Sequence, residues 1–452
     1  MSAPATRLTR TLTLGPVVLF GLAYMAPMIV LGTFGPTDDQ SGRAVPTAYA
    51  LALVAMLFTA VSYGRMSRAF PVAGSAYTYT RRTIDGRIGF LVGWAVLLDY
   101  FFLPVVIWLI GATFLNQQFP EVPNWAWIVG FIVITTTVNI LGIKLAANAN
   151  LLLTGLQILV LIFFVILSLR HVGSTTGSIF SGAAFHNSNT TISAVAAGAA
   201  IACYSFLGFD AITTLTEETK EPKRTIPKAI VLVTIIGGVI FLVTSYAAQL
   251  IGLGLPHVHF DSEAFDIAKV IGGNLFSAFF LAGLVITQLA SGIAAQASAA
   301  RLMFAMGRDN VLPRKVFGYL HPKFHTPVIN VLAIGIVGLI GVANTVSNAV
   351  SLINFGAFTA FTFVNLCVFA LAIRKGRIRT PGQILGNAIA PLIGAAFDIW
   401  LLTQLDWLAH VAGVIWLVLG IAYLIYLTRG FRRQPPEVDF SEDSDLAPAA
   451  EL

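Results

Sequence analysis

The stretch CYSFLGFDAITTLTEETKEPKRTIPKAI, residues 203–230, decides the fold. It opens apolar enough to enter a membrane, yet it places Gly208 and Asp210 inside the apolar run. From Glu217 onward it is crowded with charge. A carboxylate at membrane depth is costly unless it faces protein or water, and glycine weakens a helix. Together they point to a helix that is interrupted where it crosses the membrane, with the exposed backbone turned towards a cavity.

Composition supports a membrane setting. The 452 residues are 57% hydrophobic and 11% charged, whereas soluble domains run near about a quarter charged. A net charge of +6, scattered along the chain, argues against a nucleic-acid partner. Cys203 and Cys367 both sit in apolar stretches and read as free thiols, not a disulfide framework.

At about 20 apolar residues per crossing, twelve spans are expected: 14–36, 46–69, 87–116, 124–143, 149–169, 192–216, 228–253, 272–303, 327–345, 349–373, 385–403 and 408–428. The first follows Arg7 and Arg10, but it is too long for a signal peptide and shows no small-residue cleavage site. With the N-terminus inside, 24 of the 27 basic residues, Lys144 among them, fall on the cytoplasmic side. Only Arg43, Arg170 and Lys269 fall outside. This asymmetry predicts a multi-pass protein with both termini cytoplasmic. The acidic end, EVDFSEDSDLAPAAEL, reads as a disordered cytoplasmic tail.

No phosphate-binding loop, H-E-x-x-H, C-x-x-C or G-x-S-x-G motif occurs, so an ATP-driven pump in one chain is excluded and nothing argues for an enzyme. No cofactor or metal is expected. Three acids fall well inside the expected spans: Asp99, Asp210 and Asp398. Asp210 stands out because Ser205 and Gly208 cluster with it within six residues, which weakens the helix locally. Asp398, near the end of the eleventh span, reads as a structural carboxylate bonded to a neighbouring helix.

The first span has its own break in GLAYMAPMIVLG, residues 21–32, where Pro27 removes a backbone donor between Ala26 and Met28. Breaks opening two five-helix blocks predict inverted repeats, with a substrate site between the first and sixth helices. The domain plan is then a cytoplasmic segment 1–13, a first repeat 14–169, a second repeat 192–373, two extra helices within 385–428 and the tail 429–452.

Three motifs carry a resemblance over nearly the whole chain. SFLGFDAITTLTEETKEPKRTIPKAI (205–230), FPVAGSAYTYTRR (70–82) and SAARLMFAMGRDNVLP (298–313) resemble signatures of the amino acid–polyamine–organocation permeases. The resemblance implies an all-α, leucine-transporter-type fold of 12 transmembrane helices, a 5+5 inverted repeat plus two, and secondary transport in the cell membrane. GWAVLLDYFFLP (93–104), FTAVSYGRMSRAFPVAGSAYTYT (58–80) and LINFGAFTAFTFVNL (352–366) are similar to the bacterial putrescine importers. That branch implies import of putrescine or a related polyamine, with a tyrosine matching Tyr100 in the site.

The expected substrate contacts are Tyr24, Ala26, Pro27, Met28, Tyr100, Tyr204, Ser205, Phe206 and Gly208. Asp99, beside Tyr100, is expected to face another sector, supporting the site or pairing with a helix. Asp210, with Asp99, is expected to carry a coupling proton. Sodium through backbone oxygens with Ser291 or Ser298 is the alternative, and residues 149–169 hold no lysine. One departure stands out: Gly32 occupies a position where putrescine importers carry an aspartate. It leaves the second ammonium to Asp99 or backbone carbonyls, and keeps uptake or exchange of an amino acid or monoamine as the alternative. Oligomeric state is not implied.

Overall fold

A computed structural model describes residues 10–436 except 73–74, 143–146, 257–258 and 310. Lys144, the first nine residues and the acidic tail from residue 437 lie outside the described residues. Among those described the chain is helical, and the one extended pairing is an isolated bridge between Leu12 and Thr219.

The twelve expected spans are all present as helices: α1 (Leu14–Gly32), α2 (Val45–Ala69), α3 (Gly86–Gln118), α4 (Asn124–Leu141), α5 (Leu152–Thr176) and α6 (Ile192–Glu217), followed by α7 (Pro222–Gly252), α8 (Glu263–Arg308), α9 (Val328–Ala343), α10 (Val346–Arg374), α11 (Pro381–Leu402) and α12 (Trp407–Leu427). Eleven are long and apolar enough to cross a membrane, and α9 is a shorter apolar helix. The expected start of the eighth span, residue 272, falls beside a kink at Gly273 (φ 61°, ψ −160°). That backbone is natural only to glycine, so α8 begins earlier, at Glu263, with an extra segment set at an angle.

α2 packs along α7, while α3 packs along α8 and α10. α12 lies on α3 and α10, where Trp94 and Trp416 stack 4.9 Å apart and each indole N–H donates to the other's carbonyl. Segments expected on one side of the membrane touch one another. The Thr11 and Leu12 amides donate to Glu218 O, and the Lys220 amide donates back to Leu12 O, tying the starts of α1 and α7 together. Arg68 reaches Lys223 O, and Arg87 reaches Phe431 O.

Both interruptions are real breaks. α1 is regular over Leu14–Met25, and Ala26 then turns left-handed (φ 48°, ψ 81°) before helix resumes at Ile29. Pro27 accounts for this, because proline disfavours the right-handed helical conformation in the residue before it. In α6 regular helix stops at Ala202 and gives way to 3-10 turns at Cys203–Phe206 and Ala211–Glu217. Between them Gly208 has φ 122°.

Candidate functional site

The two breaks pack on each other. A Cβ on Gly208 would lie 2.7 Å from a ring carbon of Tyr24 and 3.2 Å from the Met25 amide nitrogen. Gly208 is therefore required twice, for its backbone angle and for this close approach. Beside this junction lies a cavity of about 150 Å³, walled by α1, α3, α5, α6 and α8. Ala294 and Ser298 carry its lining towards the end of α8 that bears Arg301 and Arg308. Tyr24 on the wall is 40% exposed.

Of the residues the sequence singles out, Tyr24, Ala26, Asp99, Tyr100, Tyr204, Gly208 and Asp210 border this cavity. Asp99 thus corrects the expectation of a separate sector. Neighbours on a helix point about 100° apart, and a cavity that wraps around the helix face reaches both.

Pro27, Met28, Ser205 and Phe206 do not border it. The 3-10 turn rotates about 120° per residue, so Tyr204 faces the cavity while Ser205 and Phe206 turn into the protein. Ser205 shares a hydrogen bond with Tyr49 (2.9 Å), and Phe206 meets the Phe241 ring edge-on at 5.2 Å. Met28 is 2% exposed, although its amide serves the break.

One amide of each break is met by a side-chain oxygen. Met28 N–H donates to Gln157 Oε1 at 3.3 Å. Gly208 N–H donates to Asp210 Oδ1 at 3.2 Å. Asp99 Oδ1 and Thr287 Oγ1 are buried without a protein partner. Among the described lining residues none is Lys, Arg or His, and no cluster of acids, histidines or cysteines suits a metal ion. Gly32 is buried away from the cavity, where a Cβ would lie 3.2 Å from Ile110 on α3.

Gln157, Thr287 and Gln288 were not among the expected contacts, and Ser291 and Ser298 were expected only in the sodium alternative. All five line the cavity. Their signal was available: Gln157 interrupts an apolar run, and residues 287, 291 and 298 recur on one helical face. Two further buried acids lie outside the expected spans' interiors, Asp38 (0% exposed) and Glu263 (2%). Arg43 stands between them, 3.3 Å from Asp38 and 3.9 Å from Glu263, and also donates to Gly252 O. Gln249 Nε2 donates to Asp38 Oδ1 at 2.8 Å.

Many apolar helices, two of them broken beside a largely apolar cavity that carries two aspartates, define a multi-pass membrane protein, and its class is that of the permeases. Residues 13–437 match the amino acid permease family, and the chain belongs to it, within the amino acid–polyamine–organocation superfamily. It is 39% identical to the low-affinity putrescine importer PlaP of Escherichia coli (strain K12), over 96% of each chain. It is 26% identical to the methylthioribose transporter of Bacillus subtilis (strain 168), over 93% of this chain and 94% of that one. Identity to the branched-chain amino acid permease BcaP of the same organism is 24%, over 93% of each.

Proposed function

We propose that this protein imports putrescine or a related polyamine by proton symport through alternating access. The observation that carries the reading is charge: Asp99 and Asp210 face one cavity that has no basic lining residue among those described. Primary amines titrate near about 10.4, so a diamine enters as a dication and meets two carboxylates. Each carboxylate offers a charge-assisted bond. Tyr24, Tyr100 and Tyr204 offer ring faces, each worth about 0.5–2 kcal/mol to a cation.

The capped breaks argue against the alternative of an amino acid. In transporters with broken helices, free break amides hold a substrate carboxylate. Here the Met28 and Gly208 amides are already taken by Gln157 and Asp210. A ligand with only ammonium groups needs no such donor. With Asp99 in the cavity, the acid absent at Gly32 is not needed for a second ammonium contact. Ala26 and Gly208 shape the junction, Pro27 and Met28 create the α1 break, and Ser205 and Phe206 support it from behind.

The coupling proton is assigned to the same pair, Asp210 with Asp99: when one of them holds it, the other meets one ammonium, and the second ammonium is left to backbone carbonyls of the breaks. The excess of basic residues in alternate loops supports a reading with both termini in the cytoplasm, in which the cavity would extend inward. The two repeats, 14–169 and 192–373, would supply the two halves that rock about the breaks.

The test is labelled putrescine uptake into proteoliposomes, with and without an inward proton gradient, against excess amino acids and polyamines. Gradient-driven accumulation blocked only by diamines is expected. No putrescine uptake by protein shown to be folded would replace the substrate, and labelled amino acids and monoamines would then be tried in the same vesicles. Accumulation that follows sodium instead would replace the coupling ion.

A further inference from the structure

Asp398, on α11, is fully buried and does not border the cavity. It is held by two residues from two other helices. Thr59 of α2 donates to its carboxylate, 3.3 Å from Oδ1 and 3.1 Å from Oδ2. Asn365 Nδ2 of α10 donates to Oδ2 at 2.9 Å and to Thr59 Oγ1 at 3.0 Å. Both partners are 0% exposed. Gly394, one turn before Asp398, lets α11 come this close, since a Cβ there would lie 2.7 Å from Asn365 Oδ1.

Simple adhesion does not require such a group. A buried carboxylate is expensive in a membrane protein, and well-packed apolar residues of similar volume often hold helices as firmly or better. What directional bonds add is register. One turn along from Thr59 is Tyr63, and one turn back from Asn365 is Phe361, on the same helix faces. These rings meet edge-on at 5.7 Å, and both contact Phe209, at 5.5 Å and 5.3 Å. Phe209 stands between Gly208 and Asp210 in the α6 break.

We propose that Asp398 is a positioning residue for transport: by tying α2 to α10 and α11 it holds the Tyr63–Phe361 pair against Phe209, and so sets the α6 break and the Asp210 carboxylate. The proposal rests on the transport reading above. Its test needs a readout that survives if that reading fails, and the chain supplies one. Cys203 opens the α6 break, is 1% exposed, and is one of only two cysteines.

The experiment compares wild type, Asp398→Asn, Thr59→Val, Phe361→Ala and the Asp398→Asn/Phe361→Ala double variant, all in a Cys367→Ala background, purified and checked for monodispersity and thermal midpoint. Putrescine KM and maximal rate are measured in proteoliposomes, and maleimide alkylation of Cys203 in the same samples. Asp398→Asn is expected to lower the maximal rate at least about tenfold with KM within about threefold. Cys203 should label at least about fivefold faster, and adding Phe361→Ala should cost little more, as members of one linkage are non-additive.

Thr59→Val, nearly the same shape, should show the same effects more weakly and decides the matter if Asp398→Asn does not fold. A folded variant with wild-type rate per molecule and wild-type Cys203 labelling would overturn the proposal, even if its thermal midpoint fell. If wild type moves no putrescine, the transport reading fails, and Cys203 labelling alone then decides whether Asp398 sets the break.

Discussion

Gln157 Oε1, near the start of α5, accepts the amide of Met28, which the break in α1 sets free. The contact spans 129 positions of sequence and joins a continuous helix to an interrupted one. Removing it with Gln157→Leu leaves a buried donor unmet, which costs about 1–3 kcal/mol. A lower thermal midpoint in detergent is expected. The freed amide should also let amino acids compete with putrescine, read by inhibition of labelled uptake.

Gly208→Ala should be more damaging than its size suggests. The added methyl must sit at φ 122° and 2.7 Å from the Tyr24 ring. Backbone strain of this kind costs about 1–3 kcal/mol, and the neighbouring Met25 amide belongs to backbone that cannot swing aside. The expected outcome is folded protein with putrescine binding weakened at least about tenfold, measured by scintillation proximity.

Asp99→Asn and Asp210→Asn separate the two carboxylates. Each removes a charge-assisted bond worth about 1.5–3 kcal/mol, so putrescine affinity should fall by about 10- to 150-fold. Asp99→Asn should weaken the diamine far more than a monoamine of equal length. Asp210→Asn should leave uptake indifferent to the proton gradient, and accumulation that still follows the gradient would remove Asp210 from coupling.

Tyr100 is expected to act through its ring face. Tyr100→Phe should keep most of the affinity, while Tyr100→Ala loses about 0.5–2 kcal/mol. A loss as large in the phenylalanine variant would instead assign the contact to the hydroxyl. Competition curves with unlabelled putrescine distinguish the two.

Arg43 bridges Asp38 and Glu263 at the opposite end of the bundle from the charged 217–228 segment. Arg43→Gln leaves two buried acids without their cation, and breaking a buried pair in this way costs about 3–5 kcal/mol. The end of α1, the end of α7 and the start of α8 should then part more readily. Faster alkylation of a cysteine introduced at Phe34, which is fully buried, is the expected readout.

The breaks were legible because their causes are local. Pro27 cannot donate a hydrogen bond, and Gly208 with Asp210 two residues on weakens the helix in an apolar span. The cavity's polar wall was only partly legible. Gln157 and Thr287 look like ordinary polar residues in helices until other helices are placed against them. Asp38 and Glu263 were missed because they lie beyond the ends of the apolar runs, where hydropathy says nothing of burial.

The sequence alone determined that this chain lives in a membrane, how many helices it forms, where two of them break, and which family it resembles. Those properties follow from residue-by-residue energetics: apolar runs seek lipid, and proline and glycine interrupt the helical bonds around them. Only the tertiary structure decided which side chains share the cavity. It brought Asp99 to the wall beside Tyr100, turned Ser205 and Phe206 away, and buried Gly32 against α3. Which way a residue points is set by helix rotation and by the 3-10 turn at Cys203–Phe206, and those are fixed by packing between segments distant in sequence.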